Sequence, residues 1–198
     1  MARPRLFDED RALDAAMRTF WANGYEATST QDLCEATGLG RSSIYNTFSS
    51  KHDLFMRALV RYIDATTTRQ LAILDDVERS ELERIRVLFA VIVESEVENR
   101  RDGRSFGCLT VNSVVELAGR DPEAAQVLDR DAARRLDALR LVVEAGQRSG
   151  TITSTRDAGA LAGFVNAVIG GMRIAGQAGA DQVVLESIAE TALDALTC

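Results

Sequence analysis

Apolar residues recur along this chain at intervals of three and four positions, the spacing that places them on one face of an α-helix. Runs that alternate apolar and polar residues, which are typical of half-buried strands, are missing. Proline interrupts helices, and the chain has two prolines, Pro4 and Pro122. The pattern therefore predicts an all-α protein. The predicted helices cover residues 7–23, 29–37, 41–48, 50–75, 80–100, 108–118, 121–150, 157–177 and 181–196.

Short capping signals set several of these boundaries. Ser29 is followed three residues later by a carboxylate, as in a capping box, and Ser50 repeats that spacing. Gly38 can adopt the left-handed conformation that ends a helix and reverses the chain. Asp121 followed by Pro122 is typical of a helix start. These signals predict two short helices joined by a tight turn, followed by longer helices.

Residues 28–55 thus combine two short helices, a glycine turn and a capped third helix, the arrangement of a helix-turn-helix and its supporting helix. In the segment 41–48, Ile44 and Phe48 are four positions apart and can anchor a recognition helix from behind. The side chains left to face a DNA major groove are Arg41, Ser42, Ser43, Tyr45 and Asn46. Arginine can bridge guanine and asparagine can pair with adenine, while hydroxyls suit phosphates or bases. On pattern alone, the alternative is a helical corner with solvated polar groups.

The net charge qualifies this interpretation, because DNA affinity depends largely on neutralising phosphates. The chain carries 23 Lys+Arg and 30 Asp+Glu, for a formal net charge of -7. Residues 1–52 hold six basic and seven acidic residues, so most of the excess acidity lies outside the candidate DNA-binding segment. Within that segment, Arg3, Arg5, Arg41 and Lys51 are placed to contact a phosphate backbone.

The cysteines and the hydropathy pattern indicate the compartment. Cys34, Cys108 and Cys198 are scattered and do not form a disulfide framework. The N-terminus is charged where a signal peptide would be apolar. The longest uncharged stretch, 158–172, has fifteen residues and is shorter than a bilayer span requires. We therefore expect a cytoplasmic protein that does not cross a membrane.

Several motifs between residues 20 and 55 resemble the N-terminal domain of the TetR/AcrR family of bacterial transcriptional regulators. The matching motifs are Phe20-Trp21-Ala22-Asn23-Gly24-Tyr25, Thr28-Ser29-Thr30, Glu35-Ala36-Thr37-Gly38-Leu39, Ile44-Tyr45-Asn46-Thr47-Phe48 and Ser50-Lys51-His52-Asp53-Leu54-Phe55. Residues 106–112 are similar to a stretch found in one branch of the family. The sequence departs from the commonest family form at Arg41-Ser42-Ser43, where Lys-Gly or Lys-Ala pairs are frequent, and this leaves the operator sequence open.

The resemblance implies a homodimeric repressor with a three-helix DNA-binding domain at 1–53 and a larger helical ligand-binding and dimerisation domain at 54–198. Each small domain would bind one half-site of a near-palindromic operator, and a small-molecule inducer in the larger domain would release the DNA. The positions that match DNA-contacting positions of the family are Thr30, Arg41, Ser42, Ser43, Tyr45, Asn46, Lys51 and His52.

The last two long helices carry the apolar surface expected for the dimer, because two such helices from each subunit can form a four-helix bundle. The predicted contact residues are Leu161, Phe164, Val165, Val168, Ile169 and Met172 on one helix and Leu185, Ile188, Ala189, Ala192 and Leu196 on the other. The glycines Gly170, Gly171 and Gly176 would allow the backbones of the two subunits to approach closely.

An inducer pocket is expected inside the larger domain. The candidate lining residues are Phe89, Val93, Cys108, Val111, Asn112, Val115, Asn166 and Met172. The two asparagines lie on otherwise apolar helices and need partners, from the protein or from a ligand. Cys108 begins a helix close in sequence to Arg101 and Arg104, a setting that favours a reactive thiolate. A buried core residue is the alternative for each of these positions.

No pattern of catalytic or metal-binding residues accompanies these features. His52 is the sole histidine and the three cysteines are dispersed, so metal-ligand spacing is missing. Gly38-Leu39-Gly40 lacks the third glycine and the preceding strand of a dinucleotide fingerprint. We expect neither an enzyme nor a bound cofactor. The alternative function is a helical small-molecule-binding or redox-sensing protein, acting through Cys108, that does not bind DNA.

Overall fold

The computed structural model describes residues 9–101 and 106–197, and within these ranges the chain forms nine α-helices and no strand. The all-α prediction is confirmed. The helices are α1 Glu9–Asn23, α2 Thr30–Thr37, α3 Arg41–Phe48, α4 Lys51–Leu74, α5 Glu81–Arg101, α6 Leu109–Leu117, α7 Pro122–Ser149, α8 Ala158–Gln177 and α9 Gln182–Thr197. Arg3, Arg5, Arg104, Cys198 and the predicted start of the first helix lie outside the described residues.

The predicted capping signals form where they were expected. Ser29 and Asp32 exchange both bonds of a capping box at the start of α2, and Gly38 ends that helix with φ at 68°. Ser50 Oγ accepts from the backbone N–H of Asp53 at 3.0 Å, which starts α4. Asp121 caps α7. Local signals of this kind therefore determine the boundaries around the helix-turn-helix.

Helix α4 packs both against the first three helices and against the rest of the molecule. Its first half packs into an apolar cluster with α1, α2 and α3, and the same cluster includes Leu109 and Leu117 of α6 and Leu128 of α7. Arg61 of α4 also forms ion pairs with Asp10 and Asp14 of α1. Apolar packing thus continues across position 53, and the division into domains at 1–53 and 54–198 stays a prediction.

The second apolar cluster lies in the C-terminal part and joins α5, α7, α8 and α9. Helix α8 is its centre and, by length and composition, is long and apolar enough to cross a membrane. The uncharged stretch 158–172 is shorter than this helix, because Arg173 interrupts the run of uncharged residues without ending the helix. Arg173 is buried and pairs with Glu96 of α5 at 2.7 Å. In this packing α8 is the central helix of a helical domain.

The predicted dimer stripes are largely part of this core. Leu161, Val165, Ile169 and Met172 of α8 and Leu185, Ala189, Ala192 and Leu196 of α9 are buried within the chain itself. Gly176 faces Glu96 of the same chain, where an added Cβ would come within 2.9 Å of its side chain. The predicted dimer contacts are wrong at these positions. Helix α8 is largely apolar on all sides, so the spacing of apolar residues does not distinguish its inner face from its outer face.

Candidate DNA-binding surface and ligand cavity

The outer side of the helix-turn-helix carries a connected group of polar side chains. Thr30 Oγ1, at the start of α2, and the Tyr45 hydroxyl in the middle of α3 lie 2.8 Å apart and share a hydrogen bond. The Arg41 guanidinium lies over the Tyr45 ring, 5.7 Å from its centroid. On the opposite side of α3, Ile44 and Phe48 are fully buried, as the four-residue spacing predicted. Helix α3 is therefore fixed by its apolar face and presents hydroxyl and guanidinium groups on the other.

The start of α4 adds a positive charge beside this surface. Lys51 Nζ lies 4.5 Å from the centroid of the Tyr25 ring and donates to the Glu26 carbonyl at 3.3 Å. Both contacts hold the lysine against the loop before α2 while leaving its side chain partly exposed. The position suits a phosphate contact, since an ammonium group serves as a point charge for phosphate.

His52 has partners within the chain. Its Nε2 lies 2.7 Å from Asp121 Oδ2, and its Nδ1 lies 3.9 Å from Glu123 Oε2. Asp121 belongs to the connection between α6 and α7, so the contact joins the DNA-binding segment to the larger helical part. The predicted DNA contact of His52 stays a prediction, and the structure gives this residue a second role as a link.

Helix α6 provides a second link at its C-terminal end. The Glu116 carboxylate accepts from the backbone N–H of Tyr25 at 2.9 Å and from that of Glu26 at 2.8 Å. The approach depends on Gly24, whose φ is 80° and at which a Cβ would lie 3.0 Å from Glu116 Oε2. At its other end, the Gly107 carbonyl just before α6 accepts from Trp21 Nε1 at 3.0 Å. Helix α6 is therefore fastened to the DNA-binding segment at both ends.

A cavity of about 440 Å³ lies between α4, α6, α7 and α8. Its size is within the range of small-molecule sites in proteins. Apolar atoms form most of the surface of its wall. The aliphatic lining residues are Val111, Val114, Val115, Ala118, Leu128, Ala132, Ile169 and Ile174. Since α6 forms one wall of the cavity and also holds the DNA-binding segment, the two sites share an element.

The eight predicted ligand residues do not all meet in this cavity. Cys108, Val111, Val115 and Asn166 line it. Phe89 and Val93 line a separate groove between α5 and α9. Met172 is fully buried in the C-terminal core, and the Asn112 side chain donates to the Phe106 carbonyl at 2.8 Å. The amide of Asn112 is thus satisfied within its own segment, while that of Asn166 is part of the cavity wall.

The sequence prediction missed the charged residues of the cavity. Asp131 and Arg135 are four positions apart on α7 and resemble an ordinary surface pair, yet Asp131 is buried and accepts from Thr67 Oγ1 of α4 at 2.6 Å. Arg173 is the one charged residue of α8, and a lone charge on so apolar a helix is the signal that could have identified it.

Cys108 is the buried N-cap residue of α6, and the Tyr62 hydroxyl donates to its sulfur at 3.6 Å. Burial, and secondly the electrostatic influence of the neighbouring Cys108, raise the pKa of Tyr62 well above its ordinary value. The phenol therefore keeps its proton and acts as the donor in this pair. Cys108 thus lines the cavity and packs in the first apolar cluster, and its side chain is buried.

These features define a class of protein, a helix-turn-helix DNA-binding regulator with a ligand cavity in a larger helical part. Comparison with known proteins agrees with that class. Residues 12–58 match the family described as bacterial regulatory proteins, tetR family, and residues 82–192 match the tetracyclin repressor-like C-terminal domain.

Individual relatives match along nearly the whole chain. The chain is 36% identical over 191 residues to the HTH-type transcriptional repressor ComR of Escherichia coli, covering 96% of this chain and 90% of that protein. It is 33% identical over 173 residues to the HTH-type transcriptional regulator YezE of Bacillus subtilis, covering 84% of each.

Among solved structures, the chain resembles the TetR family transcriptional regulator CifR, a cysteine mutant complexed with 26-bp double-strand operator DNA. The TM-score is 0.79 at 30% identity, covering 98% of this chain and all of that one. The chain belongs to the TetR family and is a DNA-binding transcriptional repressor. TetR-family regulators act as dimers, and the alternative function without DNA binding is not favoured.

Proposed function

We propose that this protein represses transcription from a near-palindromic operator, which it reads through α3, and that a small molecule in the cavity behind α6 releases it. The observation that carries the proposal is the continuous polar surface formed by Thr30, Tyr45 and Arg41 on the outer side of an α3 that is anchored by buried Ile44 and Phe48. A recognition helix requires a rigidly held helix with polar groups facing the groove.

Within this surface we assign different tasks to different side chains. Arg41 and Asn46 would contact base edges, since arginine and asparagine offer bidentate pairing to guanine and adenine. Ser42, Ser43, Thr30 and the Tyr45 hydroxyl would contact phosphates or bases. Lys51 would contact phosphate at the start of α4. His52 would support that position through Asp121 in addition to any contact with DNA.

The dimer would form through the outer faces of α8 and α9. Most exposed positions of α8 recur at spacings of four and three residues and carry apolar or small side chains. These residues are Ala160, Phe164, Ala167, Gly171 and Ile174, and the exposed polar Gln177 ends the helix. Val183 and Val184 continue the exposed apolar surface on α9. A two-fold dimer would place two DNA-binding segments about one helical turn of DNA apart, or farther apart if two dimers bind.

The protein would act in the cytoplasm, where a regulator meets the chromosome, and its task would be regulatory rather than enzymatic. Release by a ligand requires that the ligand bind better to the form whose DNA-binding segments are wrongly spaced. Helix α6 is suited to transmit that preference, because it lines the cavity and Glu116 holds the loop between α1 and α2. Cys108 remains a candidate for a covalent trigger at the same cavity.

The experiment measures binding to the DNA upstream of the protein's own gene and to random duplexes, for Arg41→Ala and Lys51→Ala. Replacing Lys51 should weaken binding to both DNAs alike. It should also reduce the slope of log affinity against log salt concentration by about one. Replacing Arg41 should cost about 1–3 kcal/mol on the operator and relax the preference at one base pair. Arg69→Ala, an exposed arginine in the second half of α4, is the control and should change neither. Wild-type binding that does not distinguish the upstream DNA from random duplex would refute the proposal.

A further inference from the structure

Two arginines of the cavity wall, Arg135 and Arg173, are each neutralised by a carboxylate. Arg135 Nε donates to Asp131 Oδ2 at 3.1 Å, and Arg173 Nη1 donates to Glu96 Oε1 at 2.7 Å. Both carboxylates are almost completely buried, Asp131 at 3% and Glu96 at 2% side-chain exposure. Each arginine therefore already has its counter-charge, and the wall offers no unpaired positive charge to an anion. Asp129, exposed at the cavity rim, adds a further negative charge.

Three side chains of the wall, Arg135, Arg173 and Asn166, have hydrogen-bond donors beyond those that these contacts use. Arg135 uses Nε for Asp131 and Nη1 for the Asn166 carbonyl oxygen at 2.6 Å. Arg173 uses Nη1 for both Glu96 and Ser95. Arg135 Nη2, Arg173 Nε and Nη2 and the Asn166 side-chain nitrogen donate to no residue that the structure describes. All three side chains line the cavity, so these N–H groups are available to a molecule inside it.

We propose that the cavity takes an apolar small molecule whose polar group is an uncharged hydrogen-bond acceptor, such as the carbonyl of a ketone, ester or amide. A carbonyl would accept from the N–H groups of Arg135, Arg173 and Asn166 that donate to no described residue. A carboxylate would bring a charge with no counter-charge, and an ammonium group would place donors against donors. Because it names the ligand class of the regulatory cavity, this inference rests on the proposed function.

The test compares four compounds that share one phenylethyl skeleton. They are 4-phenyl-2-butanone, 3-phenylpropionate, 4-phenyl-2-butylamine and butylbenzene. Binding to the full-length protein is measured by saturation-transfer NMR and calorimetry without DNA. The ketone should bind at least tenfold more tightly than the carboxylate and the amine, and more tightly than butylbenzene. Equal or tighter binding of the carboxylate, or no binding of any of the four compounds at millimolar concentration, would overturn the inference.

Variants locate the effect in the cavity wall. Arg135→Lys and Arg173→Lys keep the charge and an ion-pair partner but remove the additional guanidinium donors. Each should weaken ketone binding about tenfold and leave butylbenzene unchanged. Arg134→Lys, exposed on the neighbouring position of α7, is the control. If a lysine variant fails to fold, Asn166→Asp replaces it, since it retains the acceptor for Arg135 and removes a donor. Ketone binding that is unchanged in all folded variants contradicts the assignment.

The two proposals fail separately. Operator binding by the ligand-free protein is measured in parallel by gel shift. A protein that binds its operator but does not prefer the ketone would refute the ligand class alone. A protein that prefers the ketone, with the expected response to Arg135→Lys, but does not discriminate operator from random DNA would refute the repressor proposal and retain the cavity assignment.

Discussion

At the scale of single residues, Asp121 combines a helix cap with a contact between two parts of the molecule. Its carboxylate accepts from the backbone N–H groups of Glu123 and Ala124, and these two hydrogen bonds cap the start of α7. It also accepts from the His52 ring of α4. Burial raises the pKa of Asp121, but the hydrogen bonds from Ala124 and His52 outweigh it, so the pKa lies below its usual value. One carboxylate thus joins a helix start to the segment that carries the DNA-binding helices.

The lowered pKa of Asp121 predicts a dependence of stability on pH. A carboxyl group with a lower pKa in the folded state contributes stability above its unfolded value, near 3.9, and loses it as the pH falls through the folded value. Asp121→Asn keeps a side chain that can cap α7 but removes the negative charge that faces His52 and the start of that helix. It should therefore destabilise the protein by up to about 1 kcal/mol at pH 7. The difference from wild type should shrink below about pH 4. Urea unfolding at pH 7, 5, 4 and 3 measures both. A difference that stays constant down to pH 3 would contradict this assignment.

Residues that act locally were predictable, and those that act at a distance were not. The caps at Ser29 and Asp121 and the turn at Gly38 depend on neighbours within four positions, so the sequence pattern contains all the information they need. Glu116 binds an N–H group 91 positions away, and Arg173 pairs with Glu96 across 77 positions. Such partners depend on the packing of whole helices, which a pattern of apolar spacings does not specify.

At the scale of elements, α6 is the shortest described helix outside the helix-turn-helix, and it contacts both the cavity and the DNA-binding segment. Its side chains line the cavity, and its Glu116 carboxylate holds the Tyr25 and Glu26 N–H groups of the loop between α1 and α2. The carboxylate accepts two hydrogen bonds, one at each oxygen, and its charge makes each of them stronger than a neutral hydrogen bond. A shift of α6 toward or away from the cavity would therefore be transmitted to the DNA-binding segment.

Removing this contact should loosen the loop without unfolding the helices. In Glu116→Ala, the amides of Tyr25 and Glu26 should exchange with deuterium at least tenfold faster, because their acceptor is gone. Global stability should fall by about 1–2 kcal/mol. Glu94→Ala, an exposed glutamate on α5, is the control and should leave both amides protected. Unchanged exchange at both positions in Glu116→Ala would show that α6 does not hold the loop.

At the scale of the whole molecule, two apolar clusters divide the protein, and α4 and α7 contribute to both. The all-α class and the order of the helices followed from periodicity. The faces of α8 did not, because a helix that is apolar all round gives the same pattern whichever side is buried. The structure buries Leu161, Val165 and Met172 and leaves Phe164 and Ile174 exposed, at 41% and 54%. The unpartnered face is therefore narrower than the sequence indicated and is rich in small residues.

The exposed face of α8 predicts how the dimer can be broken. Small residues at Ala167 and Gly171 allow two α8 helices to approach closely, with Phe164 and Ile174 packing on either side. In a two-fold interface each substitution occurs twice, so Ile174→Glu places two like charges in one apolar contact, at a cost of several kcal/mol. The dimer dissociation constant should rise at least about 100-fold, since each 1.4 kcal/mol is a factor of ten. Light scattering at micromolar concentration measures it.

Val77→Glu is the matched control, because Val77 is 79% exposed in the connection between α4 and α5, away from α8. It introduces the same charge at an exposed apolar position and should leave the dimer intact. Circular dichroism should show folded helices in both variants, since Ile174 is outside the core. A monomer cannot hold two half-sites at once, so Ile174→Glu should also weaken operator binding while Val77→Glu does not. An Ile174→Glu protein that remains a dimer with full operator affinity would place the interface on a different surface.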